Sequence, residues 1–166
     1  MAPDSRQANS RETLMTARPE FLTLSLEDCH AVLERNHVGR LAFIREGSVD
    51  IQPIGYVASG HWVFFRSAYG AKLEALTRNP FVAFEVDRAA GPLDWESVVA
   101  HGTIYLMPAD GAPIEQRELA KAVAALRSAM PEAFSPGDPT PERDNVYGLY
   151  VHDLTGRKAS VAKEDP

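Results

Sequence analysis

The sequence predicts a mainly β chain, a six-stranded antiparallel barrel with a few peripheral helices. Three observations lead there. Between Val38 and Arg66, short apolar runs separated by turn signals repeat as two successive hairpins, the pattern of a meander. Further runs rich in Phe, Val and Trp follow at 81–87 and 95–107, and a last one at 146–154. A sheet with so few helices to cover it removes its exposed edges by closing on itself.

Bulk properties narrow the class. The chain has 166 residues, 45% hydrophobic and 24% charged, which suits one domain able to bury a core without cross-links. Its single cysteine, Cys29, excludes an intrachain disulfide and a cysteine-rich zinc site. The net charge of −6 argues against non-specific nucleic-acid binding by the whole surface. The longest unbroken apolar run is Ala122–Leu126, so no membrane span is expected. Residues 1–20 hold three basic and three acidic side chains and no apolar stretch, unlike a secretory signal. The expectation is a cytoplasmic protein.

The elements follow in order. Residues 1–20 read as a flexible arm, 21–160 as the domain and 161–166 as a tail. Ser25 can cap a helix with Asp28 in its first turn, and Leu26, Cys29 and Leu33, with Val32 beside them, repeat at helical spacing. Cys29 on that apolar face is a core residue, not a nucleophile. Val38–Ile44 is a strand, Glu46-Gly47-Ser48 a turn, and Val49, Ile51 and Pro53 share one face of the next strand. Pro53 deletes a ladder donor there, which marks an edge or a bulge. His61–Arg66 is the third strand, Tyr69–Arg78 a helix ended by Asn79-Pro80, and Phe81–Asp87 the fourth strand. Residues 88–94, with Gly91 and Pro92, read as a loop that could carry the chain away before Trp95. Trp95–Met107 is the fifth strand, with Gly102 as a bulge. Ala112–Met130 is a helix buried through Ile114, Leu119, Val123 and Leu126. Pro131–Arg143, with four of the twelve prolines, is a loop before the last strand, Val146–Leu154.

Most catalytic signatures are absent. There is no Walker loop, G-x-G-x-x-G, G-x-S-x-G or H-E-x-x-H, and the five histidines show no close ligand spacing. Three segments carry chemistry instead. In Arg66-Ser67-Ala68-Tyr69-Gly70-Ala71-Lys72, a strand end gives way to a helix start. A guanidinium, a hydroxyl, an ammonium and free helical N–H groups converge there as a phosphate monoester needs. The local charge over 61–79 is +2, although a solvated strand end would read alike. Around Pro53, backbone groups freed from the ladder could meet a planar heteroaromatic edge, or simply form an irregular edge. Trp95 and Ser97 fall on one strand face and could wall an aromatic ligand, or Trp95 could be core.

These motifs, in this order, resemble a known family. Gly-Arg-Leu-Ala-Phe, Ile-x-Pro-x-x-Tyr, Phe-x-Arg-Ser, Gly-x-Lys, Asn-Pro-x-Val-x-Phe-Glu-Val-Asp and Trp-x-Ser-Val-x-x-x-Gly are similar to the FMN-binding split β-barrels. More narrowly, they resemble the pyridoxamine 5′-phosphate oxidase-like proteins, a group that includes nitroimidazole-resistance proteins. The resemblance implies a six-stranded split barrel that forms a homodimer, with flavins between the subunits. It implies FMN as cofactor, with Arg66, Ser67 and Lys72 on the phosphate and Val49, Ile51 and Pro53 along the isoalloxazine. Trp95, Ser97 and Val98 would come from the second subunit. The function implied is a flavin-dependent oxidoreductase acting on a small molecule. The alternatives are F420 or haem as ligand, or a carrier or sensor without turnover. Tyr56, Tyr69 and His101 are the acid–base candidates. The C-terminal Arg-Leu pattern of the true oxidase is missing, so vitamin B6 synthesis is not expected.

Overall fold

A computed structural model describes residues 19–161. Seven strands and three helices alternate: β1 Pro19–Thr23, α1 Leu26–Arg35, β2 Val38–Arg45, β3 Ser48–Ser59, β4 Trp62–Ser67, α2 Ala71–Arg78, β5 Phe81–Gly91, β6 Asp94–Leu106, α3 Pro113–Ala129 and β7 Asn145–Val161. The sheet order is β1-β7-β4-β3-β2-β5-β6, and β6 pairs back onto β7. Six strands thus close a ring, every strand pairing among the described residues is antiparallel, and β1 lies outside it on β7.

Local chemistry sets the corners. Arg45 pairs with Ser48, so Glu46 and Gly47 form a two-residue turn, and both have positive φ (52° and 78°). That geometry matches the twist of a hairpin and suits the glycine. Ser25 caps α1 by accepting the Asp28 N–H at 3.1 Å. Cys29, Val32 and Leu33 are the buried residues of α1, whereas Leu26 is exposed at the first turn. The Cys29 thiol is buried and its pKa is raised by burial and then by Asp28, which fits a core side chain. In α3 the buried residues are Ala122 and Leu126; Leu119 and Val123 are partly buried, and Ile114 is exposed.

The main core fills the ring: Leu41, Phe43, Phe65, Phe84, Val98 and Leu149 are among its buried members, and α1 closes it with Cys29, Val32 and Leu33. A second cluster places Phe64, Met107 and Val146 beneath Ala122 and Leu126 of α3. The β4–β7 region is therefore covered on both faces, which is why Val63-Phe64-Phe65 is uninterruptedly apolar.

Three expected boundaries move. Residues 88–94 are not a loop: β5 and β6 form a tight hairpin, with Ala89 opposite Trp95 and Gly91 opposite Asp94. β7 runs to Val161, so Arg157 and Lys158 lie on the strand, beyond its expected end at Leu154. Its C-terminal half holds β1, whose five residues are all exposed and carry no alternating signal. The rest of the expected N-terminal arm and tail lies outside the described residues. The irregularity at Gly102 is present: His101 pairs with Asp153 and Gly102 with Val151, so His152 is the extra residue, on β7. No helix among the described residues is long and apolar enough to cross a membrane.

Candidate functional site

The junction between β4 and α2 gathers positive charge. Ser67 ends β4, and Gly70 caps α2 without a side-chain hydrogen bond, leaving first-turn N–H groups available. Lys72 lies in that turn and is half-buried. Burial, and then the neighbouring Arg143 guanidinium, hold its ammonium below the ordinary lysine value. Two cations beside an uncapped helix start are a site that an anion stabilises, because it offsets their repulsion and meets the free N–H groups. Arg143, in the loop before β7, is the site residue that the sequence reading missed.

Arg66 has a different partner from the one expected. Its guanidinium grips Asp138 in a forked pair (2.5 and 2.8 Å), donates to the Thr140 hydroxyl at 2.9 Å, and lies 5.0 Å from the Phe134 ring centroid. Both charged groups are nearly inaccessible, at 8% and 2% exposure. Arg66 is therefore not a free phosphate ligand; it fastens the 131–143 loop to the barrel. A cleft of about 200 Å³ opens beside this clamp, lined by His37, Gly55, Tyr56, Arg66, Thr140 and Arg143 among others.

The clamp predicts an acid response. Hydrogen bonds from Arg66, then from the Thr140 and Phe134 N–H groups, hold the Asp138 carboxyl well below its ordinary value of 3.8. A depressed folded pKa contributes stability above the unfolded value and loses it as pH falls toward the folded one. Loop protection against limited proteolysis is expected to be constant near neutrality and to decline from about pH 4 downward. Asp138→Asn is expected to lower protection at pH 7 and flatten the acid limb; an unchanged limb would remove the clamp from the explanation.

β3 supplies an apolar strip next to the basic junction. Val49 and Ile51 are 72% and 61% exposed, Pro53 is exposed, and Gly55, two residues further on the same face, lines the cleft. β4 pairs only with Tyr56–Ser59, so residues 48–55 of β3 are bonded to β2 alone. Pro53 thus sits on an open edge, as its missing donor requires. The strip belongs to a wider outer face, which includes Val38 and the 69% exposed Phe81.

Trp95 and Ser97 occupy the same outer face at its far side, across β2 and β5. Pro53, Arg40, Glu85 and Val99 form one cross-strand row, so three strand spacings of about 4.8 Å separate β3 from β6. The Trp95 and Phe21 ring centroids are 6.4 Å apart, and Trp95 lines a separate cleft with Arg88 and Lys158. The Ser97 hydroxyl donates to Glu85 at 2.7 Å. The Val98 side chain is fully buried in the core, so it cannot touch a ligand on this face. Among the acid–base candidates, Tyr56 donates to the Leu33 carbonyl at 2.7 Å and burial raises its pKa, which leaves no proton ready for transfer. Tyr69 is exposed beside α2, and His101 lies 3.9 Å from Asp153 on the surface.

The closed ring of six antiparallel strands with peripheral helices defines a split-barrel class. The model of the family described as pyridoxamine 5′-phosphate oxidase matches residues 25–158, and the chain belongs to that family. It is similar to an FAD-binding protein of Mesorhizobium loti, with 27% identity, a TM-score of 0.66 and coverage of 86% of this chain and 99% of that one. The fold also matches an FAD and haem binding protein of Mycobacterium smegmatis (16% identity, TM-score 0.59, 87% and 76% covered). The uncharacterized protein RA0666 of Rhizobium meliloti is 28% identical over 148 residues, which cover 84% of this chain and 96% of that protein.

Proposed function

We propose that the chain binds FMN as a homodimer and uses it for two-electron oxidation or reduction of a small molecule. The observation that carries this reading is the meeting of Ser67, the uncapped start of α2, Lys72 and Arg143 beside the exposed apolar strip of β3. Ser67, Lys72 and Arg143 would hold the phosphate; Val49, Ile51 and Pro53 would lie along the ring system and keep water from one side of it. When bound, FMN supplies hydride chemistry at its N5, and the protein's part is to orient the ring and tune it by hydrogen bonds. The FAD-binding relative supports a flavin, since FAD contains the same phosphorylated half. Absorbance of the purified protein, with mass measurement of any released cofactor, tests this. A flavin spectrum with FMN mass supports it; a Soret band or no ligand overturns it. Turnover with NAD(P)H and added acceptors then separates an enzyme from a carrier.

The exposed apolar side chains of the outer face, Val38, Val49, Ile51 and Phe81, support the homodimer. A second copy on that face would bring its Trp95 and Ser97 to the flavin held by Lys72. A mixed dimer tests this sharing. One subunit carries Ser67→Ala and Lys72→Ala, the other Trp95→Ala and Ser97→Ala. Each parent homodimer is expected to bind FMN poorly, and the mixed dimer to regain about half the stoichiometry, one intact site of two. A confirmed mixed dimer with no regained site would return Trp95 to a packing role with Phe21.

A further inference from the structure

We infer that the cavity between α2 and the ends of β6 and β7 is a second small-molecule site, for a neutral, ring-sized apolar compound with one oxygen acceptor for the Tyr147 hydroxyl. The cavity measures about 280 Å³ and its wall includes Leu73, Leu76, Pro80, Ile104, Leu106 and Tyr147. For scale, an apolar cavity of roughly 150 Å³ accepts benzene. The wall is almost wholly hydrocarbon. The hydroxyl of Thr77, which also lines it, is spent on the Leu73 carbonyl at 2.9 Å.

Tyr147 is the exception. Its residue is 1% exposed, its ring stacks on Phe65 at 5.0 Å and 9°, and its hydroxyl has no hydrogen-bond partner among the described residues. A buried hydroxyl without a partner is rare, because it has given up water for nothing. A valine or phenylalanine would fill a core position without that loss. Burial, and then the charge of Asp144, push this phenol up to about 12, so at neutral pH it is an intact O–H donor. The same negative charge disfavours a carboxylate or phosphate ligand, which separates this cavity chemically from the cationic junction at Lys72. This cavity also shares no wall residue with the cleft beside Arg66, which runs along β3, α3 and the 131–143 loop. Tyr105 and Leu106, 49% and 46% exposed, stand where a ligand would enter.

Acetophenone and ethylbenzene are paired probes with the same carbon skeleton, and only the first carries a carbonyl oxygen. Titration of the full chain, with and without FMN, is followed by calorimetry and protein NMR. Saturable acetophenone binding that FMN does not displace is expected. Tyr147→Phe is expected to weaken acetophenone about tenfold and leave ethylbenzene unchanged. Leu106→Trp, a change at the exposed mouth, is expected to block both probes, and it carries the test if Tyr147→Phe does not fold. Equal acetophenone affinity in wild type and Tyr147→Phe, absence of saturable binding, or displacement by FMN would each overturn the inference. Failure of flavin binding alone leaves it standing, since neither probe contains a phosphate.

Discussion

Gly102→Ala is expected to yield a chain that does not close its barrel. A Cβ at this position would lie 2.0 Å from the Tyr150 carbonyl oxygen, 2.8 Å from Leu149 Cδ1 and 2.9 Å from the Tyr150 carbonyl carbon. The nearest obstacle is backbone, so no rotamer change relieves it. It is also backbone of β7 next to the bulge, where His152 is already the extra residue. Overpacking that side chains can absorb costs about 1–3 kcal/mol. Here the strand itself must move, and the loss is expected to exceed that range and take much of the ~5–15 kcal/mol by which a domain is stable. Gly91→Ala is the control, because nothing lies within 4 Å of its Cβ. Urea midpoints by circular dichroism check both. A Gly102→Ala midpoint equal to wild type would mean that the bulge re-forms elsewhere.

Lys72→Ala is expected to cost about tenfold to a hundredfold in FMN affinity, the value of one charge-assisted hydrogen bond to phosphate at roughly 1.5–3 kcal/mol. Folding is expected to survive, since Lys72 is half-buried on a helix surface and makes no structural ion pair among the described residues. Riboflavin lacks the phosphate and is expected to be nearly insensitive. Arg66→Ala is expected to behave otherwise. It releases Asp138 and the loop beside the cleft, so it weakens riboflavin and FMN together. Fluorescence titration of both ligands against both variants separates direct phosphate contact from loop support. A Lys72→Ala protein that loses both ligands equally would remove Lys72 from the phosphate site.

The ring was legible because its strands carry local signals. Glu46-Gly47 and Gly60 mark turns, and Val63-Phe64-Phe65 announces a strand buried on both faces. Pro53 reported an open edge because a missing N–H is a property of one residue and needs no partner to be read. What stayed hidden depends on partners distant in sequence. Arg66 looked like an anion ligand because its charge is visible, whereas the Asp138 that neutralises it stands 72 residues away in a proline-rich loop. Arg143 was missed for the same reason. β1 and the end of β7 support each other across the whole length of the domain, and neither segment alternates clearly enough to be recognised alone. The 88–94 segment misled because Gly91 and Pro92 serve a tight hairpin as well as they serve a long loop.

β7 also has a bearing on biosynthesis. It is the last strand in chain order among the described residues, yet it lies between β4 and β6 and also carries β1. A nascent chain can zip β2, β3 and β4 into a meander and pair β5 with β6, but these pieces stay an open sheet until β7 has left the ribosome. During that interval Phe65 and Val98 face no opposing strand, and the edges of β4 and β6 are open to pairing with another chain. Ring closure thus waits for β7, and until then the open edges of β4 and β6 are where a chaperone would bind.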